Sequence, residues 1–437
     1  MTPFAIKSIL ARRVWDSRGR PTVEAEVVLN DGSLGRAIAP AGASKGTREA
    51  LELRDGGDRF GGLDVMRAVG HVNGEISNAL VGTKADNQSA LDQALIDLDG
   101  TINKSRLGAN ATLAVSMAAA HAMAAASDMP LYRYLGNGKI GRLPMPQIQI
   151  FGGGAHAGRR VDVQDFMVVC PGASSFAQAL EWTAEVYRHA GLLMAQRGSL
   201  FGVADEGGWW PDFSSNEQAL EMLVLAIERA GFIPGDQVAI ALDIAASEFG
   251  QQGQYRLGLE SRELDSDGMI EMLLRWVGKY PIVSIEDPLA EDDSVGFARF
   301  TKAIGHRLQI VGDDFLVSNS NLIREAANLG AANTVLLKPN QRGTLSETLE
   351  AWKVAQELGY SAIVSARSGE TEDTTIVDLA IGWNVGQLKV GSFARSERMI
   401  KWNHALRIEE QLGAEARFAG ASVFRKTHAA FQQGNTP

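Results

Sequence analysis

The chain has 437 residues, 45% of them apolar, more than one ordinary core needs and enough for two domains. Acids outnumber bases 52 to 42, a formal charge of −10. That balance argues against a general nucleic-acid binder or a polybasic membrane anchor, while small anionic substrates, which see only the local field of a pocket, stay open. A single cysteine, Cys170, excludes an intrachain disulfide framework and reads as a core thiol. No stretch approaches 18 uninterrupted apolar residues and the N-terminus carries no long apolar run, so a cytoplasmic protein with no membrane partner is expected.

Residues 1–140 begin with strands. "PTVEAEVVLNDGSLGRAIAP" is two β-rich runs around an Asn30-Asp31-Gly32 turn, a hairpin pattern. "GASKGTREALELRDG" leads from it through a Gly- and Ser-containing loop toward a short helix. "NATLAVSMAAAHAMAAASDM" is Ala-rich and long enough for a tightly packed helix. Strands first and helices after give an α+β N-terminal domain.

Over 141–437 the pattern changes. Apolar runs recur as "VAIALD", "IVSIED", "LQIVGDD", "TVLLK", "AIVSAR" and "QLKVG", with helical segments such as "NSNLIREAANLG" and "SETLEAWKVAQELG" between most of them. Strand–helix repeats of this kind predict a parallel sheet, here a closed β/α barrel, with a doubly wound open sheet as the rival. No G-x-G-x-x-G follows an early strand, which removes the usual dinucleotide case for the rival.

The apolar runs end in charge. Asp243, Glu286, Asp313, Lys338, Arg367 and Lys389 each stand at or near the end of one. In a β/α barrel such ends converge on one mouth, where active sites sit. Three carboxylates there make a hard oxygen site suited to Mg²⁺. The plainer possibility is that each acid caps the following helix. Two lysines beside a divalent cation suggest anion binding and a lysine of lowered pKa, the state a general base needs. "GVADEGGWWPDF" adds Asp205 and Glu206 before a turn, with Trp209 and Trp210 expected to pack. "FGGGAHAGRRVDVQDF" adds His156 in a Gly-rich loop and Gln164 and Asp165 on the strand after it. The remaining histidines (His71, His121, His189, His306, His404 and His428) stand in no motif and read as structural.

These stretches together resemble the enolase family, the phosphopyruvate hydratases. The resemblance runs from "WDSRGRPTVEAEV" and "GASKGTREALELRDG" through "ADEGG", "ALDIAASEF", "SIEDPLAEDD", "VGDDFLVSN" and "LLKPNQRGTLSE" to "RSGETEDTTIVDLAIG" and "GQLKVGSFARSER". It implies an α+β cap on a modified eight-stranded β/α barrel, usually a homodimer or higher homo-oligomer. It implies a Mg²⁺-dependent lyase that dehydrates 2-phosphoglycerate, a small anionic phospho-hydroxyacid, to phosphoenolpyruvate, with two Mg²⁺ per site. By position, Asp243, Glu286 and Asp313 match the ligands of the first Mg²⁺, and Ser44 the loop serine that closes over the second. Lys338 matches the base, Lys389 the lysine that holds the substrate carboxylate, and Glu206 the acid that helps the hydroxyl leave. Arg367 and Ser368 match the phosphate binders, His156 the loop histidine, and Gln164 and Asp165 fall in the adjoining "QDFM".

The chain also departs from the family pattern. Where "SHRSGETED" is usual it has "SARSGETED", so Ala366 replaces a histidine. "QEFM" becomes "QDFM" at Asp165, "NGGSHA" becomes "GGGAHA" at Gly152 and Ala155, and "SGASTG" becomes "AGASKG" at Ala41 and Lys45. Arg342 follows "KPNQ" where an aliphatic residue is common, and "GGWW" replaces "GGFAP". Several of these changes shrink a side chain. They leave a second expectation, an enolase-like paralogue that dehydrates a bulkier phospho-, phosphono- or phosphino-hydroxyacid, similar to a carboxyphosphonoenolpyruvate synthase. In that case the emptied volume takes the extra group and Lys45 or Arg159 pairs its charge. A non-catalytic binding protein is the third, opposed by the intact Lys338, Glu206 and metal acids.

Overall fold

The structure is a computed structural model that describes residues 3–424. It begins with a three-stranded antiparallel sheet, β1 (Ile6–Trp15), β2 (Pro21–Leu29) and β3 (Leu34–Ile38), with β2 in the middle. The Asn-Asp-Gly turn joins β2 to β3 as its composition predicts, Gly32 taking a left-handed φ of 94°. After β3 the chain runs without regular helix as far as a 3₁₀ turn at Arg59–Gly62, and the short helix expected here begins only at Met66.

The Ala-rich segment forms the helix Ala109–Ala126. By length and composition it could cross a membrane, but 83% of it is buried inside the fold, so it is a core helix. Small residues let it lie almost against the sheet. A Cβ built on Gly35 of β3 would stand 2.0 Å from Ala118 O and 2.2 Å from Ala122 N.

The second part is a closed eight-stranded barrel. Its strands are β4 (Met145–Gly152), β5 (Asp165–Val169), β6 (Ala239–Asp243), β10 (Ile282–Glu286), β11 (Gln309–Gly312), β12 (Thr334–Leu337), β13 (Ser361–Ser365) and β14 (Gln387–Ser392). A small antiparallel sheet of β7 (Gly250–Gln251), β8 (Gln254–Leu257) and β9 (Arg262–Asp265) lies between β6 and β10 in the chain. The barrel strands are almost wholly buried, as strands covered on both faces must be.

The expectation of a uniformly parallel sheet is corrected at one strand. β5 runs antiparallel to both neighbours, β4 and β6. A loop of 12 residues, 153–164, joins β4 to β5 with no crossover helix, so β5 returns as a hairpin partner. Two helices, Phe176–Gln196 and Asn216–Arg229, then follow before β6. The reversal puts the first residue of β5 at the end of the barrel where its neighbours finish. Asp165 pairs with Gly152, the last residue of β4, and with Asp243, the last of β6.

The strand-end acids do not cap the following helices. Those helices take their caps further along: Asp265 accepts from Gly268 N, Asp293 from Gly296 N and Asn319 from Leu322 N. Cys170 is fully buried and its thiol is pushed up to about 12 by that burial, as a core thiol should be. Trp209 stacks on Tyr187 with ring centroids 4.7 Å apart, a packing contact. Replacing Gly35 by Ala should cost about 1–3 kcal/mol or more, since backbone rather than a flexible side chain stands in the way. Thermal denaturation of Gly35→Ala against the parent checks this, and an unchanged midpoint would contradict the close packing.

Candidate active site

The strand ends form a cleft at the barrel mouth. Ser44, His156, Gln164, Asp165, Glu206, Asp243, Lys338, Ala366, Arg367, Ser368 and Lys389 all line one narrow space. Of the site residues read from sequence, only Glu286 and Asp313 stand behind this lining, each against one of its lysines.

The centre of the cleft floor is the Lys389 ammonium on β14. It lies 2.7 Å from Asp243 Oδ2, 2.9 Å from Glu286 Oε2 and 3.2 Å from Asp165 Oδ2. All four side chains are buried. Burial alone would drive the Lys389 ammonium toward neutrality, but Asp243, Glu286 and Asp165 hold its pKa well above the ordinary value. One ammonium does not satisfy three acids. The carboxyl of Glu286 is held well above the usual carboxylate range by burial and by the charge of Asp243.

Asp313 is one strand further on. It pairs with Lys338 Nζ and accepts from Gln341 Nε2 at 2.7 Å. Asp287 and Asp314 offer ligand atoms close to Asp313, and Asp287 accepts the backbone N–H groups of residues 313 and 314 at 2.9 and 2.8 Å. His156, Asp165 and Glu206 form another tight group. The donors on the floor are carboxylate oxygens, buried and short of positive charge. That set fits a hard divalent cation.

Lys338 differs from expectation. Burial lowers its pKa, but Asp313 and Glu286 more than offset this, and the ammonium is held above its ordinary value rather than below it. The cationic neighbours Arg367 and Lys389 do act in the expected direction but are outweighed.

His156 sits in the 153–164 loop. Its Nε2 is 3.2 Å from Ser368 Oγ and 3.7 Å from Glu206 Oε1, and its Nδ1 is 3.4 Å from Asp165 Oδ1. Burial lowers its pKa, Glu206 and Asp165 raise it, and the net direction is upward. Gln164 donates to Asp243 Oδ2 at 3.0 Å, while its own Oε1 is buried without a hydrogen-bond partner. A buried orphan acceptor on a cleft wall is a place for a ligand's donor.

Arg367 is clamped by the loop that carries Ser44. Its Nη1 lies 3.0 Å from Glu49 Oε2, and its Nη2 donates to Ser44 O at 2.8 Å and to Glu49 Oε1 at 3.2 Å. The loop is held elsewhere too, with Thr47 N donating to the Glu291 carboxylate at 3.2 Å and Ala41 N to Gly369 O at 2.9 Å. Beneath Arg367, the buried guanidinium of Arg398 donates to Arg367 O and Val390 O at 2.7 and 2.8 Å and also to Ser368 O. Glu49, Gln341 and Arg398 were not singled out by sequence reasoning.

The shrunken positions do not all leave room. A Cβ on Gly152 would come within 2.7 Å of Ala204 Cβ and 3.2 Å of Gln149 Oε1, so that space is already taken. Ala366 does line the cleft. Lys45 pairs with Glu52, Arg159 lies 2.8 Å from Glu248, and neither lines the cleft. Of the other histidines, His121 bonds Thr375 Oγ1 at 2.8 Å and His404 bonds Asp378 Oδ2 at 2.9 Å, away from the cleft; His428 lies outside the described residues.

Two family models match the chain. One, described as the enolase N-terminal domain, matches residues 6–135, and the other, the enolase C-terminal TIM barrel domain, matches residues 141–427. The chain belongs to the enolase family. Family membership and the acidic groups at the barrel mouth together make it an enolase-type lyase by class.

The clamp on Arg367 gives a direct test. Glu49 and Arg367 are both nearly buried, and removing one partner of a buried pair costs about 3–5 kcal/mol. Glu49→Gln should loosen the 41–52 loop, so trypsin should nick it after the exposed Lys45 or Arg48 at least several-fold faster than the parent. Equal nicking rates would mean that the clamp does not hold the loop.

Proposed function

We propose that the protein dehydrates 2-phosphoglycerate to phosphoenolpyruvate in a Mg²⁺-dependent reaction. The observation that carries this reading is an opposition across the barrel. Around the closed ring, β12 and β5 stand four strands apart in either direction. Lys338, just after β12, and Asp165, the first residue of β5, therefore face one another across one cleft. Anti elimination of water takes a base on one face of the substrate and an acid on the other.

Lys338 Nζ, as the neutral amine, takes the proton α to the carboxylate. The electron pair moves into the new C2–C3 double bond, the C3–O bond breaks, and the departing hydroxide takes a proton from Glu206. Asp165 and His156 surround that acid. Arg367 and Ser368 hold the phosphate, and Lys389 the substrate carboxylate. Mg²⁺ held by Asp243, Glu286 and Asp313, and a second ion toward Ser44, would absorb the charge that builds on the carboxylate. Drawing Asp313 into such a site removes the charge that now holds Lys338 up, which favours the neutral amine. The family resemblance supports a cytoplasmic homodimer.

A bulkier substrate has less support. Ala366 lines the cleft, but the space there is small, Gly152 offers none, and neither candidate cation, Lys45 or Arg159, is part of the lining.

Purified protein with 2-phosphoglycerate and Mg²⁺ should form phosphoenolpyruvate, followed by its ultraviolet absorbance, and a chelator should stop it. Lys338→Ala should lower turnover about 100- to 10,000-fold. A folded, cation-binding protein with no turnover would move the substrate to larger phospho- or phosphono-hydroxyacids. In that event Ala366→His should depress turnover of the larger substrate.

A further inference from the structure

Gln149 lies in the middle of β4 and is fully enclosed, 1% exposed. A buried amide must find partners for both ends. Its Nε2 donates to Asp165 Oδ1, and its Oε1 accepts from Gly208 N at 2.9 Å. The amide thus joins two pieces of chain far apart in sequence. One is the start of β5. The other is the 203–209 turn that carries Glu206.

The slot that holds it is shaped on both sides by glycine. A Cβ on Gly208 would stand 2.4 Å from Gln149 Oε1, and one on Gly152 would stand 3.2 Å from the same atom. The turn is otherwise laid along β4 by backbone bonds, Trp209 N to Ile150 O at 2.8 Å and Gly152 N to Trp209 O at 3.3 Å. On its other side the Asp165 carboxylate meets Lys389 Nζ at 3.2 Å and His156 Nδ1 at 3.4 Å. It has no slack. A longer acid at 165 would push about 1.5 Å toward the Gln149 amide. A shorter amide at 149 would leave Asp165 Oδ1 and Gly208 N apart.

We infer that Gln149 is a positioning residue that sets the reach of Asp165 and the seat of the Glu206 turn as one unit, so that the side-chain lengths at 149 and 165 are matched. The Asp at 165, where the resemblance leads one to expect Glu, is then one half of a pair whose other half is the long amide opposite. This rests on the elimination reading, in which Glu206 and its neighbours serve the leaving hydroxyl.

The test compares four proteins: the parent, Gln149→Asn, Asp165→Glu and the combined Gln149→Asn/Asp165→Glu. The combined variant keeps the number of methylenes between the two backbones. Each is given 2-phosphoglycerate and Mg²⁺, and two rates are read: formation of phosphoenolpyruvate, and exchange of the C2 proton with deuterated water by NMR. Each single variant should lose dehydration about tenfold or more, since displacements near 1 Å are that costly. C2 exchange should fall by a smaller factor than dehydration, because the base Lys338 lies across the barrel and Asp165 reaches the proton-abstraction side only through Lys389, and the combined variant should dehydrate faster than either single variant. A merely structural role would lower both rates together, and that result would overturn the inference. So would a combined variant no better than the worse single one. If the parent shows neither rate, 2-phosphoglycerate fails as the substrate, independently of the pairing of 149 with 165. Thermal midpoints of the same four proteins then judge the pair: recovery in the combined variant upholds the matching of lengths, and additive losses overturn it.

Discussion

The site depends on one buried ammonium. Without Lys389, Asp165, Asp243 and Glu286 would be three acids in a region sealed from water, where unpaired charge is costly and the groups protonate instead. The raised pKa of Glu286 shows that the balance is already short of positive charge. The shortfall is what gives the floor its appetite for a hard cation. A barrel mouth with matched charges would be a more stable structure and a poorer binding site.

The second constraint is topological. A barrel of eight parallel strands brings only C-terminal strand ends to the mouth. Here β5 is reversed, and a strand start arrives there instead, carrying Gln164 and Asp165. The loop that makes the reversal is the one that carries His156. One turn of chain therefore supplies two components of the leaving-group side, while the proton-abstraction side is built from ordinary strand ends. The two halves of the proposed chemistry come from two different ways of turning a chain at the edge of a barrel.

Much of this was legible. Apolar runs that end in Asp, Glu, Lys or Arg locate the mouth, because helix capping accounts for one such acid but not for acids, lysines and an arginine at successive strand ends. The Asn30-Asp31-Gly32 turn and the Ala-rich helix were equally plain. The reversal of β5 was not, since "DFMVV" reads alike in either direction and orientation is decided by its neighbours. Glu49 was hidden in "TREALE", which has the look of a helix face but forms a turn followed by irregular chain. Gln149 left a trace: in "PMPQIQIF" two glutamines alternate with apolar residues in a strand buried on both faces, which asks for inward partners. Gln147 finds Gln387, 3.1 Å away. Among the shrunken positions Gly152 does not mark space, because Ala204 and Gln149 fill it.

The clamp between Arg367 and the 41–52 loop has a consequence for how tightly any anion can be held. The guanidinium is not idle before a ligand arrives; it already carries the Glu49 carboxylate. A phosphate that docks on the same fork trades one anion for another, and the count of ion pairs is unchanged. Affinity then reflects the difference between two similar contacts rather than the full strength of either, and so stays moderate however strongly charged the cleft is.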